Sequence, residues 1–261
     1  MSILYGANIL VVEDNEILQE MILEILTNNG ISAVAANNGV EALQLLEEQS
    51  FDGVLMDCQM PIMDGYTATQ KIREIPDNKN LPIIAITANL MSSVRLKVID
   101  SGMNDYIGKP LSLPEMFKVM AKWIKPEGKS SFIPLATNTY SLPDSSIPDF
   151  PGIEKEIGLK YVDNNPEFYL SMLEKYRDYL LEHKELLVHA KDSNDCEELA
   201  KLAHSIKSTS GTFGACVIQS KAQELEWLCK DIQIDKIEEM LPLLLSDIDI
   251  VLNGLATLYM K

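Results

Sequence analysis

The sequence is poor in positive charge and has no long apolar run. Lysine and arginine number 22 against 39 aspartates and glutamates, which gives a formal net charge of −17. This imbalance argues against nucleic acid as a direct partner, because phosphate backbones are bound by basic patches. No apolar stretch approaches the roughly 20 residues of a membrane-spanning helix, and no signal-peptide pattern opens the chain. We therefore expect a cytoplasmic protein without a membrane segment, whose charge favours cationic partners such as metal ions.

Cysteine and histidine are scarce as well. The chain has 4 cysteines and 3 histidines. The cysteines form no CxxC pair of the kind that binds metals, and His183, His189 and His204 do not share a zinc-ligand spacing. We expect reduced thiols that are buried or half-buried, as in cytosolic proteins. Neither residue type predicts a structural zinc site.

The first 125 residues alternate short apolar runs with helical patterns. Runs such as Asn8–Val12 (NILVV) and Pro82–Ile86 (PIIAI) are typical of parallel strands that are covered on both faces. Apolar residues at helical spacing follow each run. Five strands alternating with five helices predict a parallel sheet between two helix layers. The functional crevice of such a sheet lies at the carboxyl ends of its strands.

Polar residues follow four of the predicted strands. Glu13 and Asp14 follow the first strand, Asp57 the third, Thr87 the fourth and Lys109 the fifth. Carboxylates brought together repel one another, and a divalent cation relieves this repulsion. Ligands that are all oxygen favour magnesium. Asp57 could then attack phosphorus as a nucleophile, while Lys109 and Thr87 bind the phosphoryl oxygens.

The second half of the chain has a different character. Residues 126–151 contain 5 prolines among serines, threonines and asparagines, which predicts a linker between domains at 1–125 and 152–261. From Ile153 onwards the pattern is helical. Four long helices with short connections predict an all-α, antiparallel four-helix bundle.

One histidine of the bundle differs from the others. His204 lies in the segment LAHSIKSTSGTFGA, residues 202–215. At the helical period Lys207 and several small residues fall on the face of His204, and the apolar residues gather opposite. We therefore expect His204 to point outward, where it can accept a phosphoryl group from a docked protein while Lys207 stabilises the added charge. His183 and His189 are expected to be ordinary surface residues.

Residues 8–124 resemble a two-component receiver domain. The resemblance rests on four stretches: VVEDN (11–15), MDCQMPIMDG (56–65), ITA (86–88) and YIGKP (106–110). It implies a flavodoxin-like, doubly wound α/β sheet with strand order 2-1-3-4-5. It also implies a signalling protein that is phosphorylated on an aspartate with the help of magnesium.

The same resemblance implies roles for individual residues. Asp57 is the phosphoacceptor, Thr87 the switch hydroxyl and Lys109 the phosphate-binding lysine. Tyr106 holds the position of the aromatic switch that follows the threonine inward. The bond between Lys109 and Pro110 is often cis in this family, which would help to aim the lysine into the pocket. The implied magnesium ligands are Glu13, Asp14, Asp57 and the backbone carbonyl of Gln59.

Residues 152–261 resemble a histidine phosphotransfer domain. The positions that carry over are His204 as the phosphoacceptor, Lys207 three residues later and Gly214 ten residues later. Ser208 stands where the family often has glycine, and a serine should fit there. A receiver followed by a phosphotransfer domain is the order found at the carboxyl-terminal end of hybrid sensor histidine kinases.

The two resemblances together predict a phosphorelay. Asp57 accepts a phosphoryl group from the histidine of a kinase, and His204 passes it on to the receiver of a downstream response regulator. Reverse flow, which drains that regulator as a phosphate sink, uses the same residues. The chain shows no glycine-rich nucleotide lid, so we expect a phosphotransferase-type relay that does not autophosphorylate from ATP.

Three other functional classes agree less well with the sequence. A metal-dependent aspartyl phosphatase has a second aspartate two residues after its nucleophile, where this chain has Gln59. A non-catalytic module for interaction would not need Asp14, Asp57, Thr87 and Lys109 together. A flavodoxin-like cofactor domain would follow its first strand with a phosphate-binding loop rich in serine and threonine, and the sequence EDNEI is unsuited to that role.

Overall fold

The computed structural model describes residues 2–87, 92–126, 147–162 and 164–259. Most of the predicted linker and Ala88 of the ITA motif lie outside these residues. The chain divides into two compact units, Met1–Thr139 and Tyr140–Lys261. No helix among the described residues is long and apolar enough to cross a membrane.

The first unit is built on a five-stranded sheet with the strand order β2-β1-β3-β4-β5. All neighbouring strands are parallel, which confirms the predicted fold. Strands β3 and β4 consist entirely of buried residues, because helices cover both faces of a sheet of this type. The strands are β1 (Asn8–Val12), β2 (Ser32–Ala36), β3 (Gly53–Asp57), β4 (Ile83–Thr87) and β5 (Asp105–Gly108).

Five helices alternate with the strands, and three of them begin with a side-chain cap. Asn15 accepts a hydrogen bond from the backbone of Leu18, and Asn38 and Asp64 cap the next two helices in the same way. These caps anchor the loops at the edge of the sheet where β1, β2 and β3 end. The helices are α1 (Glu16–Asn28), α2 (Gly39–Glu48), α3 (Gly65–Glu74), α4 (Ser92–Asp100) and α5 (Leu113–Trp123).

The second unit is helical, and its four long helices pack on one another as predicted. Pro242 lies inside the last of them and does not mark its start. A short additional helix, α6, was not predicted, because six residues are too few to show a helical period. The helices are α6 (Lys155–Lys160), α7 (Pro166–Asp192), α8 (Cys196–Phe213), α9 (Cys216–Lys230) and α10 (Ile234–Leu255).

Tyrosine hydroxyls from α7 hold α8 in place. The Tyr169 hydroxyl donates to the carbonyl of Phe213 over 2.8 Å, and the Tyr176 hydroxyl donates to Ser210 Oγ over 2.8 Å. The rings of Tyr176 and Phe213 stack with their centroids 4.6 Å apart. Buried hydroxyls need such partners, so these contacts fix the position of α8 against α7.

The four cysteines are free thiols, in agreement with the sequence. Cys58 and Cys229 are buried and the other two are half-buried. Burial raises the pKa of the Cys58 thiol to about 12 and that of the Cys229 thiol to about 11. Both thiols therefore stay protonated at neutral pH.

Candidate functional site

Three carboxylates meet at the carboxyl ends of β1 and β3. These strands are neighbours, with Val12 opposite Met56, so the residues that follow them share one edge of the sheet. Carboxylate oxygens of Glu13, Asp14 and Asp57 lie within 4.8 Å of one another. Glu13 and Asp57 are buried, whereas Asp14 is exposed.

Lys109 reaches this group from the end of β5, two strands away from β3. Its ammonium donates to Asp57 Oδ2 over 2.6 Å and to Glu13 Oε1 over 3.0 Å. The side chain of Lys109 is only 8% exposed, so the ion pairs are shielded from water. The backbone N–H of Lys109 donates to the carbonyl of Thr87 over 2.7 Å, and the bond between Lys109 and Pro110 is cis.

The charges in this pocket are unbalanced. Burial, with the charge of Asp57 adding to it, raises the pKa of Glu13 to about 8 despite the opposing charge of Lys109. Burial would lower the pKa of Lys109, but the charges of Asp57 and Glu13 raise it above its ordinary value. One cation therefore faces more negative charge than it can neutralise.

The donor set fits a hard divalent cation. Glu13 Oε2 is buried and accepts no hydrogen bond, although the Lys109 ammonium lies 2.8 Å away. A buried carboxylate oxygen that makes an ion pair but accepts no hydrogen bond, next to two further carboxylates, is suited to an ion that prefers oxygen ligands. Glu13, Asp14 and Asp57 could hold such an ion.

The other predicted residues of the pocket lie around Asp57. The backbone N–H of Gln59 donates to Asp57 Oδ1 over 3.0 Å, and the role of its carbonyl as a metal ligand stays a prediction. Thr87 is buried at the end of β4, the neighbour of β3. Tyr106 on β5 is half-buried and packs against the apolar core. Their switch roles likewise stay predictions.

Gly65 is a residue that the sequence analysis did not single out. A Cβ atom on this first residue of α3 would lie 2.1 Å from the carbonyl oxygen of Asp57. Its backbone N–H also donates to the carbonyl of Cys58 over 3.3 Å. Only glycine lets α3 begin this close to Asp57. The sequence signal that could have identified Gly65 was the pair Asp64-Gly65 at the start of a predicted helix.

His204 lies on α8, with the apolar residues of that helix buried on the opposite side as predicted. Its surroundings differ from the expectation, however. The side chain is 22% exposed and therefore not fully outward, and both Ser208 and Gly211 are buried. A Cβ atom on Gly211 would lie 2.3 Å from Gln219 Nε2 of α9. The projection of a single helix could not show that α9 covers part of this face.

Glu226 of α9 binds the predicted phosphoacceptor. One of its oxygens, Oε1, lies 3.0 Å from His204 Nδ1. The other, Oε2, accepts a hydrogen bond from Lys207 over 2.6 Å, and Lys230 donates to Oε1 over 2.5 Å. Burial would raise the pKa of Glu226, but the hydrogen bonds from His204, Lys207 and Lys230 hold it well below its usual range.

The sequence analysis missed Glu226. The one signal was its place beside the apolar stripe of α9, where Ala222, Leu225 and Cys229 are buried. A carboxylate is rarely buried there without a cationic partner. Its partners come from a different helix and from a residue four positions later, so the spacing within one helix could not identify the group.

The other two histidines differ in their exposure to solvent. His189 is exposed, as expected, but His183 is half-buried. The ring of His183 stacks on Tyr179 with centroids 3.7 Å apart, and its Nδ1 lies 3.0 Å from the Tyr179 carbonyl. Burial lowers the pKa of His183. The expectation of an ordinary surface residue is therefore wrong for His183, because Tyr179 one turn earlier covers it.

Comparisons with known proteins match both units. Residues 9–121 match the family described as response regulator receiver domain, and residues 171–254 match the Hpt domain. Sensor histidine kinase GacS of Pseudomonas protegens is 28% identical over 225 residues, which are 85% of this chain and 24% of GacS. Hybrid signal transduction histidine kinase E of Dictyostelium discoideum is 39% identical over 120 residues, which are 44% of this chain and 7% of that kinase. The chain thus spans a quarter or less of these relatives.

A solved structure with similarity to the chain is the receiver domain of sensor histidine kinase PA1611 from Pseudomonas aeruginosa PAO1. That structure has a magnesium ion coordinated in its active site cleft. It is 38% identical, and the alignment covers 45% of this chain and 97% of that domain, with a TM-score of 0.43.

Proposed function

We propose that Asp57 and His204 are the two phosphoryl-carrying residues of the chain. The proposal builds on the family matches. A response regulator receiver domain is followed by an Hpt domain, so the chain belongs to two-component phosphorelay signalling. Asp57 accepts the group from a phosphohistidine of a kinase. His204 accepts it from an aspartyl phosphate and passes it to the receiver of a response regulator. The observation that carries the proposal is the contact of Lys109 with Asp57 over 2.6 Å inside a group of three carboxylates.

Magnesium is the cofactor that we propose for the first site. Glu13, Asp14 and Asp57 would hold it, with the Gln59 carbonyl as the fourth protein ligand. When bound, the ion supplies positive charge that offsets the negative charge of the phosphoryl oxygens during transfer. The support from this chain is the excess of carboxylates over cations and the buried Glu13 oxygen that accepts no hydrogen bond.

The transfer to Asp57 is a substitution at phosphorus. A carboxylate oxygen of Asp57 forms the new bond to phosphorus, the bond from phosphorus to the donor nitrogen breaks, and its electron pair returns to the donor imidazole. Lys109 already donates to Asp57, so its ammonium is in place to bind a phosphoryl oxygen. The Thr87 hydroxyl donates to a second oxygen, and Tyr106 follows it inward.

The same atoms permit flow in both directions. His204 can receive the group from Asp57 of this chain or another copy, or from a downstream receiver whose phosphate is then drained. The partners that follow from the proposal are a histidine kinase as phosphodonor and the receiver domain of a response regulator.

Radiolabel transfer tests both sites. Labelled acetyl phosphate with magnesium should label wild type on Asp57, and Asp57→Asn should abolish this label, whereas Asp100→Asn on the exposed side of α4 should not. A phosphorylated receiver should label His204 in the Asp57→Asn chain. His204→Gln should remove that label, and His189→Gln, an exposed histidine of the same unit, is the matched control. Equal labelling of Asp57→Asn and wild type by acetyl phosphate would refute the proposal for the first site.

A further inference from the structure

A side-chain amide of α1 donates hydrogen bonds at the ends of β1 and β2. The Nε2 atom of Gln19 donates to the carbonyl of Glu13 over 2.9 Å and to the carbonyl of Ala36 over 3.1 Å. It also donates to Asn37 Oδ1 over 3.0 Å. Ala36 is the last residue of β2, and its carbonyl accepts the backbone N–H of Glu13 as well. Gln19 therefore holds together the ends of two strands at the first carboxylate of the pocket.

The partners of Gln19 determine which end of its amide faces them. Backbone carbonyls and ionised carboxylates only accept hydrogen bonds. Glu41 Oε2 accepts from the backbone N–H and the side-chain Nδ2 of Asn37 over 2.9 and 3.0 Å, which leaves Asn37 Oδ1 to face Gln19. All three of these neighbours of Nε2 are acceptors, although its NH₂ group has only two hydrogens. A side chain without a donor would leave the Glu13 carbonyl without this bond.

The segment that Gln19 binds also contacts the loop after Asp57. The backbone N–H of Gly39, the first residue of α2, donates to the carbonyl of Met63 over 3.1 Å. A Cβ atom on Gly39 would lie 2.8 Å from the Met63 side chain, so the start of α2 packs tightly against this loop. Segment 36–39 is therefore bonded on one side to Gln19 and on the other side to the loop that follows Asp57.

We propose that Gln19 is a positioning residue that makes the cation site selective for magnesium over calcium. Its amide holds the carbonyl of Glu13 to segment 36–39, and so fixes how far the carboxylates after β1 lie from Asp57. The inference rests on the proposed magnesium site. The hydrogen bonds of Gln19 go to two backbone carbonyls and one amide oxygen, so its effect on a cation passes through the backbone that carries the ligands.

Magnesium and calcium differ in how much a fixed spacing of ligands favours them. Magnesium requires nearly octahedral geometry with oxygens at about 2.0–2.1 Å, whereas calcium accepts a flexible shell of oxygens at about 2.3–2.6 Å. If the ends of β1 and β3 could shift, the carboxylates would still surround the larger ion but would lose the arrangement that the smaller ion needs. Loss of the Gln19 amide should therefore weaken magnesium binding more than calcium binding.

Calorimetric titration of the full chain with magnesium chloride and with calcium chloride measures this selectivity. Gln19→Leu removes both amide hydrogens and should weaken magnesium binding by about 10-fold, a loss typical of a group that acts through a ligand. Calcium binding should weaken by less than about 3-fold, because calcium tolerates irregular spacing. Gln44→Leu, the same substitution at an exposed position of α2, should bind both ions as wild type does. Asp14→Asn gives the binding to carboxylates elsewhere in the chain.

Gln19→Glu separates position from charge. The new side chain keeps its length but presents acceptors to the three acceptors that the amide bonds in wild type. The added negative charge by itself would tighten the binding of any cation, whereas the loss of the donors should weaken magnesium binding. Weaker binding can then come only from displaced ligands. Thermal unfolding of the metal-free chains shows which variants fold, and Gln19→Glu keeps the test open if the leucine chain does not.

Three results would overturn the inference alone. They are wild-type magnesium affinity in Gln19→Leu, an equal weakening for both ions, which indicates general loosening, and tighter magnesium binding in Gln19→Glu. A wild-type chain that binds magnesium no better than Asp14→Asn would instead refute the proposed cofactor, and the inference with it. Because no phosphoryl group is transferred in these titrations, they judge the role of Gln19 even if labelling of Asp57 fails.

Discussion

A single lysine donates to two carboxylates at the Asp57 site, and a single carboxylate accepts from two lysines at the His204 site. Lys109 donates to both Asp57 and Glu13, while Glu226 accepts from both Lys207 and Lys230. The first arrangement leaves surplus negative charge for a cation. The second leaves surplus positive charge next to a nitrogen that is proposed to take up an anionic group. The two proposed phosphoryl sites thus carry local charges of opposite sign.

Glu226 should also make the second unit sensitive to acid. Its pKa in the folded chain lies below the ordinary value of 4.5, so the unfolded chain binds more protons and the stabilisation is lost as pH falls below that value. We expect the free energy of unfolding to drop more steeply between pH 5 and about pH 2 in wild type than in Glu226→Gln. Urea titrations at several pH values measure this slope. Identical slopes would contradict the ion-pair geometry, and Glu224→Gln is the control.

Ile62 is an exposed residue with an unfavourable backbone conformation. It is 83% exposed and has a φ of 66°, a left-handed geometry that suits asparagine and glycine but not a β-branched residue. Ile62→Asn should stabilise the first unit by about 1 kcal/mol, since such geometry costs about 1–2 kcal/mol for ordinary residues. Thermal unfolding gives the difference. Leu96→Asn, which removes an exposed apolar side chain from α4, should bring no such gain, and a loss of stability in Ile62→Asn would contradict the explanation.

At the scale of elements, strand ends and helix starts build the first site. β1, β3, β4 and β5 each end at a predicted site residue or directly before one. The parallel register brings these ends to one edge of the sheet. In the second unit no single helix builds the candidate site, because α8 supplies His204, the proposed phosphoacceptor, and α9 supplies Glu226, whose Oε1 lies 3.0 Å from it.

The start of α3 should be intolerant of any side chain. In Gly65→Ala the new Cβ atom would lie 2.1 Å from the Asp57 carbonyl, so the helix or the strand end must move. We expect a loss of about 1–3 kcal/mol in the free energy of unfolding and slower labelling by acetyl phosphate, because Asp57 shifts with its backbone. Gln70→Ala, an exposed change on the same helix, should leave both unchanged. Unaltered labelling of Gly65→Ala would show that the loop can yield without moving Asp57.

At the scale of the whole molecule, the chain consists of two units with separate cores. The proposed magnesium ligands all belong to the first unit. The three carboxylates among them, Glu13, Asp14 and Asp57, come from the ends of two neighbouring strands, β1 and β3. Ligand effects should therefore be confined to one unit.

Magnesium should stabilise one unfolding transition only. At a concentration of 100 times its dissociation constant, a ligand that binds the folded state adds about 2.7 kcal/mol. We expect this gain in wild type, its loss in Asp14→Asn, and its persistence in Asp192→Asn, which changes an exposed carboxylate of the second unit. Calorimetry with magnesium or with a chelator measures the shift. An equal gain in Asp14→Asn would place the ion elsewhere.

Much of this protein could be predicted from local pattern. The strands and the long helices follow from apolar periodicity, since this signal is short-range and repeated. The strand order came from the resemblance to the receiver family, which the motifs around Asp57 carry. The convergence of Glu13, Asp57 and Lys109 was also predictable, because parallel strands place their carboxyl ends together. The structure brings these side chains within hydrogen-bonding distance.

Other features depended on contacts between distant segments. The sequence by itself determined which residues we propose to carry the chemistry, because each proposed phosphoacceptor and its motif are contiguous in the chain. Only the tertiary structure decided what surrounds them. It placed Glu226 against His204, covered Gly211 with Gln219, and left no space for a side chain at Gly65. These contacts depend on how one element packs against another, and the periodicity of a single helix or strand contains no information on its neighbour.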